Sequence, residues 1–243
     1  MNVGIIVQAR CGSSRLPGKV LLKIGKISLL EHVIKRLKKI RNKKKIIIAT
    51  TKKKIDKKII NLAKKNKCST FAGSEKNVLN RYFLAAKKYK INTIVRICAD
   101  SPFIDPLIIE RGLKIFRKNK YDYVSNIINP TYPAGMSVEI FNFKSLEICN
   151  KSKTDQIEKE HVTPFIYRNK NIFKIKNFKN KTNLTKYRFC IDYKKDLLAA
   201  RKLNDEITKA NLKNFSYKKL ITIVNKNLSI KKINSKLKTS LRY

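Results

Sequence analysis

From Val3 to Arg117, short apolar runs alternate with stretches whose apolar residues recur at helical spacing, and that alternation admits few architectures. Val3–Gln8, Thr93–Cys98 and residues 45–50 and 69–72 read as strands. Between them, residues 28–40 carry Leu29, Leu30, Val33, Ile34, Leu37 and Ile40 on one stripe, and residues 55–67 are helical in pattern. Residues 77–89 place Val78, Leu79, Tyr82, Phe83 and Ala86 on one side. Asp105-Pro106 supplies an N-cap followed by proline at the first helical position, opening a helix toward Arg117. Strands joined through helices cannot pair as hairpins, so the pattern predicts an α/β fold with a parallel sheet covered on both faces.

The pattern changes after Tyr121. Residues 122–126 and 136–141 are β-like around a turn containing Pro130, Pro133 and Gly135. Residues 145–150 and 155–168 are helical in pattern, the second divided by Pro164. Residues 172–178 and 187–191 are β-like again, and a helix follows from about 195 to 207. With no Ser/Gly linker and no internal repeat, residues 1–243 read as one domain carrying a β-rich insertion at about 121–178 and a basic tail at 227–243.

The chemistry concentrates where the first strand ends. Gln8-Ala9-Arg10-Cys11-Gly12-Ser13-Ser14-Arg15-Leu16-Pro17-Gly18-Lys19 follows an apolar strand with glycines, serines and three cations. Glycine lets a backbone approach a ligand closely, and turn amides point at anions. Arg10, Arg15 and Lys19 add charge suited to phosphate oxygens. A P-loop is excluded: five residues separate Gly12 from Gly18, and Val20 follows Lys19 where a magnesium-binding hydroxyl belongs. A basic surface loop is the plain alternative, but the carboxyl end of a strand in an open α/β sheet is where ligands bind.

Two acids end strands in the same way, Asp100 after TIVRIC and Asp192 after RFCI. Opposite a phosphate-binding loop, such carboxylates suit a divalent cation; singly, each is an ordinary turn or cap acid. Cys11, Cys68, Cys98, Cys149 and Cys190 form no Cys-x-x-Cys pair, and His32 and His161 are the only histidines, so neither a zinc site nor a disulfide framework is expected. The cysteines fit a reducing cytoplasm. No apolar run approaches the ~20 residues that span a bilayer.

The net charge of +42 comes from 58 Lys and Arg against 16 Asp and Glu. Between Lys35 and Lys67 there are sixteen basic residues and one acid, Asp56; after Glu206 there is no acid. Such charge admits a nucleic-acid or anionic-membrane surface. However, the cations are dispersed, mostly lysine, and lack an aromatic stacking platform, so compositional drift toward Lys, Asn and Ile explains them and no specific nucleic-acid partner is expected.

Taken in order, QARCGSSRLPGKVL, NVLNRYFLAA, RICADSPFIDP, YPAGMSVEIF, EKEHVTPFIYRN and RFCIDYKKDL resemble the cytidylyltransferase-like family of spore-coat polysaccharide biosynthesis protein F, related to acylneuraminate and ketodeoxyoctonate cytidylyltransferases. The resemblance covers nearly the whole chain. It implies a nucleotide-diphospho-sugar transferase fold, a Rossmann-like three-layer α/β/α sandwich, in a cytoplasmic homodimer with no membrane span. The implied reaction transfers CMP from CTP to a sugar acid of the ulosonic or nonulosonic type, with Mg2+ and release of pyrophosphate, for surface polysaccharide or glycoconjugate synthesis. By the same resemblance Ala9, Arg10, Gly12, Ser13, Arg15, Lys19, Arg81 and Arg96 bind the nucleotide, and Lys19, Arg10 and Asp100 carry catalysis. Asp100 and Asp192 hold the metal, and Glu139, Glu160 and His161 form the sugar side.

Three departures from the family pattern stand out. Cys98-Ala99-Asp100 replaces Thr-Gly-Asp, and because alanine adopts positive φ less easily than glycine, the turn presenting Asp100 is expected to be altered. Ser137 removes an acid from the expected sugar pocket, and Asn77 and Asn80 stand where Asp is common. The same fold also serves glycosyltransferases that consume nucleotide-sugars, and a basic nucleic-acid-binding protein is the alternative from a different class.

Overall fold

A computed structural model describes residues 2–41, 44–118 and 120–237. Its strands are β1 (Val3–Gln8), β2 (Lys23–Ile24), β3 (Ile27–Ser28), β4 (Lys45–Thr51), β5 (Ser69–Gly73), β6 (Thr93–Cys98), β7 (Tyr123–Ser125), β8 (Glu139–Asn142) and β9 (Ile175–Asn177). Its α-helices are α1 (Leu29–Leu37), α2 (Lys57–Lys65), α3 (Val78–Lys88), α4 (Pro106–Lys118), α5 (Phe143–Lys151), α6 (Gln156–His161), α7 (Pro164–Arg168), α8 (Lys194–Lys209), α9 (Tyr217–Lys226) and α10 (Leu228–Asn234). Seven strands form one sheet in the order β5-β4-β1-β6-β8-β7-β9, and β2 and β3 make a small hairpin.

The strands β5, β4, β1 and β6 are mutually parallel, as the helix-separated pattern requires. Each apolar strand is buried on both faces. Ile5, Val7, Val95 and Ile97 pack with Leu29 and Leu30 of α1 and Leu197 of α8. Ile6 and Ile94 point the other way, onto Leu79 and Tyr82 of α3 and Leu146 of α5. The period-two alternation of β1 thus divides its side chains between two cores, the helix–sheet–helix arrangement of three layers. Each fully buried Ile or Leu contributes roughly 1.5–3 kcal/mol.

The chain runs outward from β1 to β4 and β5, then returns to place β6 on the other side of β1. Gln8 pairs with Cys98 at the carboxyl ends of these two strands. That reversal opens a crevice at the point where the 9–19 loop and Asp100 leave the sheet. Local signals place the flanking helices. Ser28 caps α1 reciprocally with Glu31. Asp105 accepts the Leu107 amide at 3.0 Å and, from α9, the Tyr217 amide at 2.8 Å.

The inserted segment joins the main sheet instead of standing apart. β8 lies antiparallel against β6, and β7 and β9 extend the edge. It is also more helical than β-rich, contributing α5, α6 and α7, with Pro164 dividing the last two. Residues 187–191 are not a strand. Their backbone is shared, Phe189 donating to Ala134 O at 2.8 Å and Ile191 to Asp100 O at 2.8 Å, so only an isolated bridge, Ala134 to Arg188, forms. The stretch expected as a basic tail begins with α10, whose Ile230 and Asn234 are buried; residues 238–243 lie outside the described residues. Six of the sixteen acids are buried: Asp56, Asp105, Glu139, Glu158, Asp192 and Asp196.

Candidate active site

The loop after β1 is held by its backbone. Ala9 donates to Ala49 O at 3.1 Å, and the Cys11 carbonyl accepts from Ser13 N and Gly18 N, both at 2.8 Å. The Cys11 amide donates to Asp56 Oδ1 at 2.8 Å, and the Thr51 hydroxyl closes on the other Asp56 oxygen. Asp56 therefore anchors the loop from the start of α2. Gly18 sits at φ 67° and ψ 9°, a left-handed geometry that glycine adopts without Cβ strain. It turns the chain into a short 3-10 turn, Lys19–Leu21, in which Lys19 is buried.

Lys19 is the centre of the site. Its Nζ donates to Asp192 Oδ1 at 2.9 Å, to Asp100 Oδ2 at 3.1 Å and to Ile191 O at 2.8 Å. Burial alone would lower its pKa, but the two carboxylates outweigh burial and hold the ammonium above its ordinary value. Asp192 is further held by Arg15 Nη2 at 2.9 Å and Arg188 Nη2 at 3.0 Å. Among the described residues no group of three or more His, Cys, Asp or Glu forms a metal cluster. Asp100 and Asp192, bound to one ammonium, are the pair of hard oxygen donors that could hold a divalent cation whose other ligands come from a substrate.

Two cavities meet here. One, of about 370 Å³, is lined by Ala9, Arg10, Ser13, Arg15, Lys19 and Arg81, among others. The other, of about 420 Å³, is lined by the apolar Ile127, Pro130, Tyr132, Pro133 and Met136 and by polar residues that include Ser137 and Asp192. Cys98, Asp100 and His161 line both, so Asp100 stands on the wall they share.

Most of the sequence-derived nucleotide residues come together on the first cavity, with two exceptions. Gly12 lines neither cavity; a Cβ there would lie 3.0 Å from Glu75 Oε1. Arg96, expected beside the nucleotide, lines the second cavity instead, its guanidinium bound to Glu139 and to Gln8 Oε1 at 3.2 Å. Arg81 is 2% exposed and donates to Ser74 O at 2.7 Å, while its Nε has no hydrogen-bond partner among the described residues. Burial holds its guanidinium below the ordinary value.

On the expected sugar side, Glu160 lies at the first cavity, 3.8 Å from Arg10. Glu139 does line the second, but its oxygens are engaged by Arg96, by the Tyr123 hydroxyl at 2.8 Å and by the Thr163 hydroxyl. Among the described non-glycine residues, those at positive φ are Lys67, Lys90, Lys120, Val162 and Asn211; Ala99 is not one, so the turn presenting Asp100 forms without that geometry. Val162 (φ 73°, ψ −49°) is a γ-turn closed by Thr163 N on His161 O at 2.9 Å, which carries the chain from His161 to Thr163.

Sequence reasoning missed three supports: Asp56, Arg188 and Asp196. Asp56 had a signal, being the one acid among sixteen cations. Arg188 and Asp196 are eight residues apart and meet only because the chain bends at Asp192.

No helix among the described residues is long and apolar enough to cross a membrane. A family model described as "Cytidylyltransferase" matches residues 4–230. Spore coat polysaccharide biosynthesis protein SpsF of Bacillus subtilis is 29% identical over 93% of this chain and 95% of its own. The solved structure of a cytidylyltransferase from Leptospira borgpetersenii superposes with a TM-score of 0.89 at 35% identity, covering 95% of this chain and 96% of that one. A CMP:2-keto-3-deoxy-manno-octonic acid synthetase solved with CTP shares the fold at a TM-score of 0.65 and 17% identity, over 85% of this chain and 99% of its own. The loop of residues 9–19 at the sheet's reversal, with Asp100 and Asp192, lies wholly within the matched residues, and the chain belongs to the cytidylyltransferase family related to SpsF.

Proposed function

We propose that the chain transfers CMP from CTP to a hydroxyl of a sugar acid, with release of pyrophosphate. The observation that carries this reading is Lys19 bound to both Asp100 and Asp192 where two cavities meet. The polar cavity takes the nucleotide and the apolar-walled one the acceptor. The SpsF relative, a protein of spore coat polysaccharide biosynthesis, supports a sugar pathway, and the 2-keto-3-deoxy-manno-octonic acid synthetase of the same fold, solved with CTP, supports a sugar-acid acceptor and CTP.

In this reading the loop amides and Arg10, Arg15 and Lys19 bind the triphosphate. The acceptor hydroxyl approaches from the second cavity, in line with the α–β phosphoanhydride bond. Its oxygen forms the new bond to the α-phosphorus as the bond to pyrophosphate breaks, and the hydroxyl proton is released to solvent. Lys19 offsets the charge that grows on the phosphoryl oxygens, and fixed cations cost no reorganisation at that moment. Asp100 and Asp192 fit Mg2+, which commonly takes one or two carboxylates with the substrate's phosphates. When bound there, Mg2+ supplies charge neutralisation and orientation of the triphosphate.

Purified protein incubated with Mg2+, CTP and a panel of ulosonic acids should release pyrophosphate with one of them. A product of free CMP or CDP from a nucleotide-sugar, with no pyrophosphate from CTP, would replace this reading by a glycosyltransferase.

A further inference from the structure

Asp192 is fixed at two points. Its carboxylate receives Arg188 Nη2 at 3.0 Å, and its backbone amide donates to Asp196 Oδ2 at 3.0 Å. The same Asp196 oxygen accepts the Tyr193 amide at 3.1 Å and Arg188 Nη2 at 3.0 Å, while Oδ1 accepts Arg188 Nε at 2.8 Å. Asp196 therefore orients both the backbone that carries Asp192 and the guanidinium that grips its side chain.

A third element closes the arrangement. Asn234, at the last position of α10, donates through Nδ2 to Asp196 Oδ1 at 3.0 Å and to Arg188 O at 3.3 Å. All four residues are nearly inaccessible: Asp196 is 1% exposed, Asp192 5% and Asn234 9%, and the Arg188 side chain 5%. A fork-to-fork guanidinium–carboxylate contact is directional, and an acid that also holds two backbone amides has no freedom to turn. The consequence falls on Asp192. With Oδ2 and its amide fixed from behind, Oδ1 faces Arg15 and Lys19 in the crevice.

We propose that Arg188 and Asp196 are positioning residues that hold Asp192 ready for the nucleotide-bound divalent cation, and that helix α10 belongs to this apparatus through Asn234. The proposal rests on the CTP–Mg2+ reading above. It makes the end of the chain, more than 40 residues after Asp192, part of the active site's support without touching substrate. A purely structural ion pair would stabilise the fold and leave cation affinity unchanged relative to nucleotide affinity.

The test uses the full chain with Mn2+ as a spectroscopic substitute for Mg2+. Free Mn2+ is followed by electron paramagnetic resonance at saturating CTP, and CTP affinity is measured separately by calorimetry without metal. Asp196→Asn should weaken CTP-dependent Mn2+ binding about 10- to 100-fold, the range for residues that orient metal ligands. Asn234→Ala, which removes the two Asn234 hydrogen bonds and keeps the ion pair, should weaken it about threefold. Metal-free CTP affinity should stay within about twofold in both. If Asp196→Asn fails to fold, the milder Asn234→Ala decides. Unchanged Mn2+ affinity in the variants, with wild-type binding intact, overturns this inference alone; so does an equal fall in metal-free CTP affinity. Absence of CTP-dependent Mn2+ binding in the wild type overturns the CTP–Mg2+ reading itself and this inference with it.

Discussion

Lys19 Nζ lies 3.1 Å from Asp100 Oδ2, joining the end of the loop after β1 to the turn after β6 across the crevice. Because Asp192 holds the same ammonium, one lysine separates two nearly buried carboxylates that would otherwise repel each other.

Lys19→Ala should therefore lose stability as well as activity. Leaving buried carboxylates without their cation costs about 3 kcal/mol. Loss of charge stabilisation at the transferring phosphoryl group should lower turnover about 100-fold or more. In thermal melts Mg2+ should raise the Tm of this variant more than that of the wild type, since a divalent cation can take the place of the missing ammonium. Equal shifts would remove Asp100 and Asp192 as its ligands.

Glu139→Gln separates support from substrate contact. Its three partners, Arg96, Tyr123 and Thr163, use the carboxylate from inside the fold. Removing its charge takes the carboxylate partner from the buried Arg96 guanidinium, which should cost about 3 kcal/mol in urea unfolding while CTP affinity changes little.

Gly135→Ala should disturb Asp192 from a distance. Gly135 has φ 91°, and a Cβ there would lie 2.7 Å from both Cys190 N and Phe189 C. These are backbone atoms, so the strained φ and the clash both push on the segment leading to Asp192. The strain alone costs about 1–3 kcal/mol. A lowered Tm together with reduced pyrophosphate release is expected, and calorimetry with a turnover assay checks both.

The pH dependence of stability has a definite sign at each end. Burial raises the Asp196 carboxyl, but Arg188 and the Asp192 amide outweigh it and place it below its ordinary 3.8. Its stabilisation is complete above that value and is lost as pH falls through the lower folded pKa. Lys19 behaves oppositely: its contribution is complete below 10.5 and is lost as pH rises through its raised folded value. Urea unfolding at stepped pH should show an acid limb that flattens in Asp196→Asn and an alkaline limb that flattens in Lys19→Ala.

The parallel half of the fold was legible because its strands are apolar on both faces and its helices carry clean stripes. The loop after β1 stood out for a different reason: glycine, serine and arginine together at a strand's end have few purely structural uses. What escaped prediction was set by tertiary contact. Residues 187–191 have strand composition, yet their amides are divided between Ala134 and Asp100. The helices α9 and α10 were hidden because Leu220, Val224 and Ile230 are scattered among lysines and asparagines, and the packing that selects them is distant in sequence. Strand alternation fixes the face on which Arg96 lies but not which of two adjoining cavities is above it, and the fold sets it on the one lined by Tyr132 and Met136.

The near balance of buried charge has a kinetic consequence. Lys19, Arg36, Arg81 and Arg96 are buried among the six buried acids, so the net charge of +42 is left to the surface, where it sets a positive outer field. Such a field draws in a polyanion from beyond contact range, and added salt shortens its reach to about 8–10 Å at physiological ionic strength. In the proposed reaction, capture of CTP would be accelerated by residues that never touch it. Its encounter rate would respond to ionic strength, while the steps after capture would fall to Lys19 and its two carboxylates.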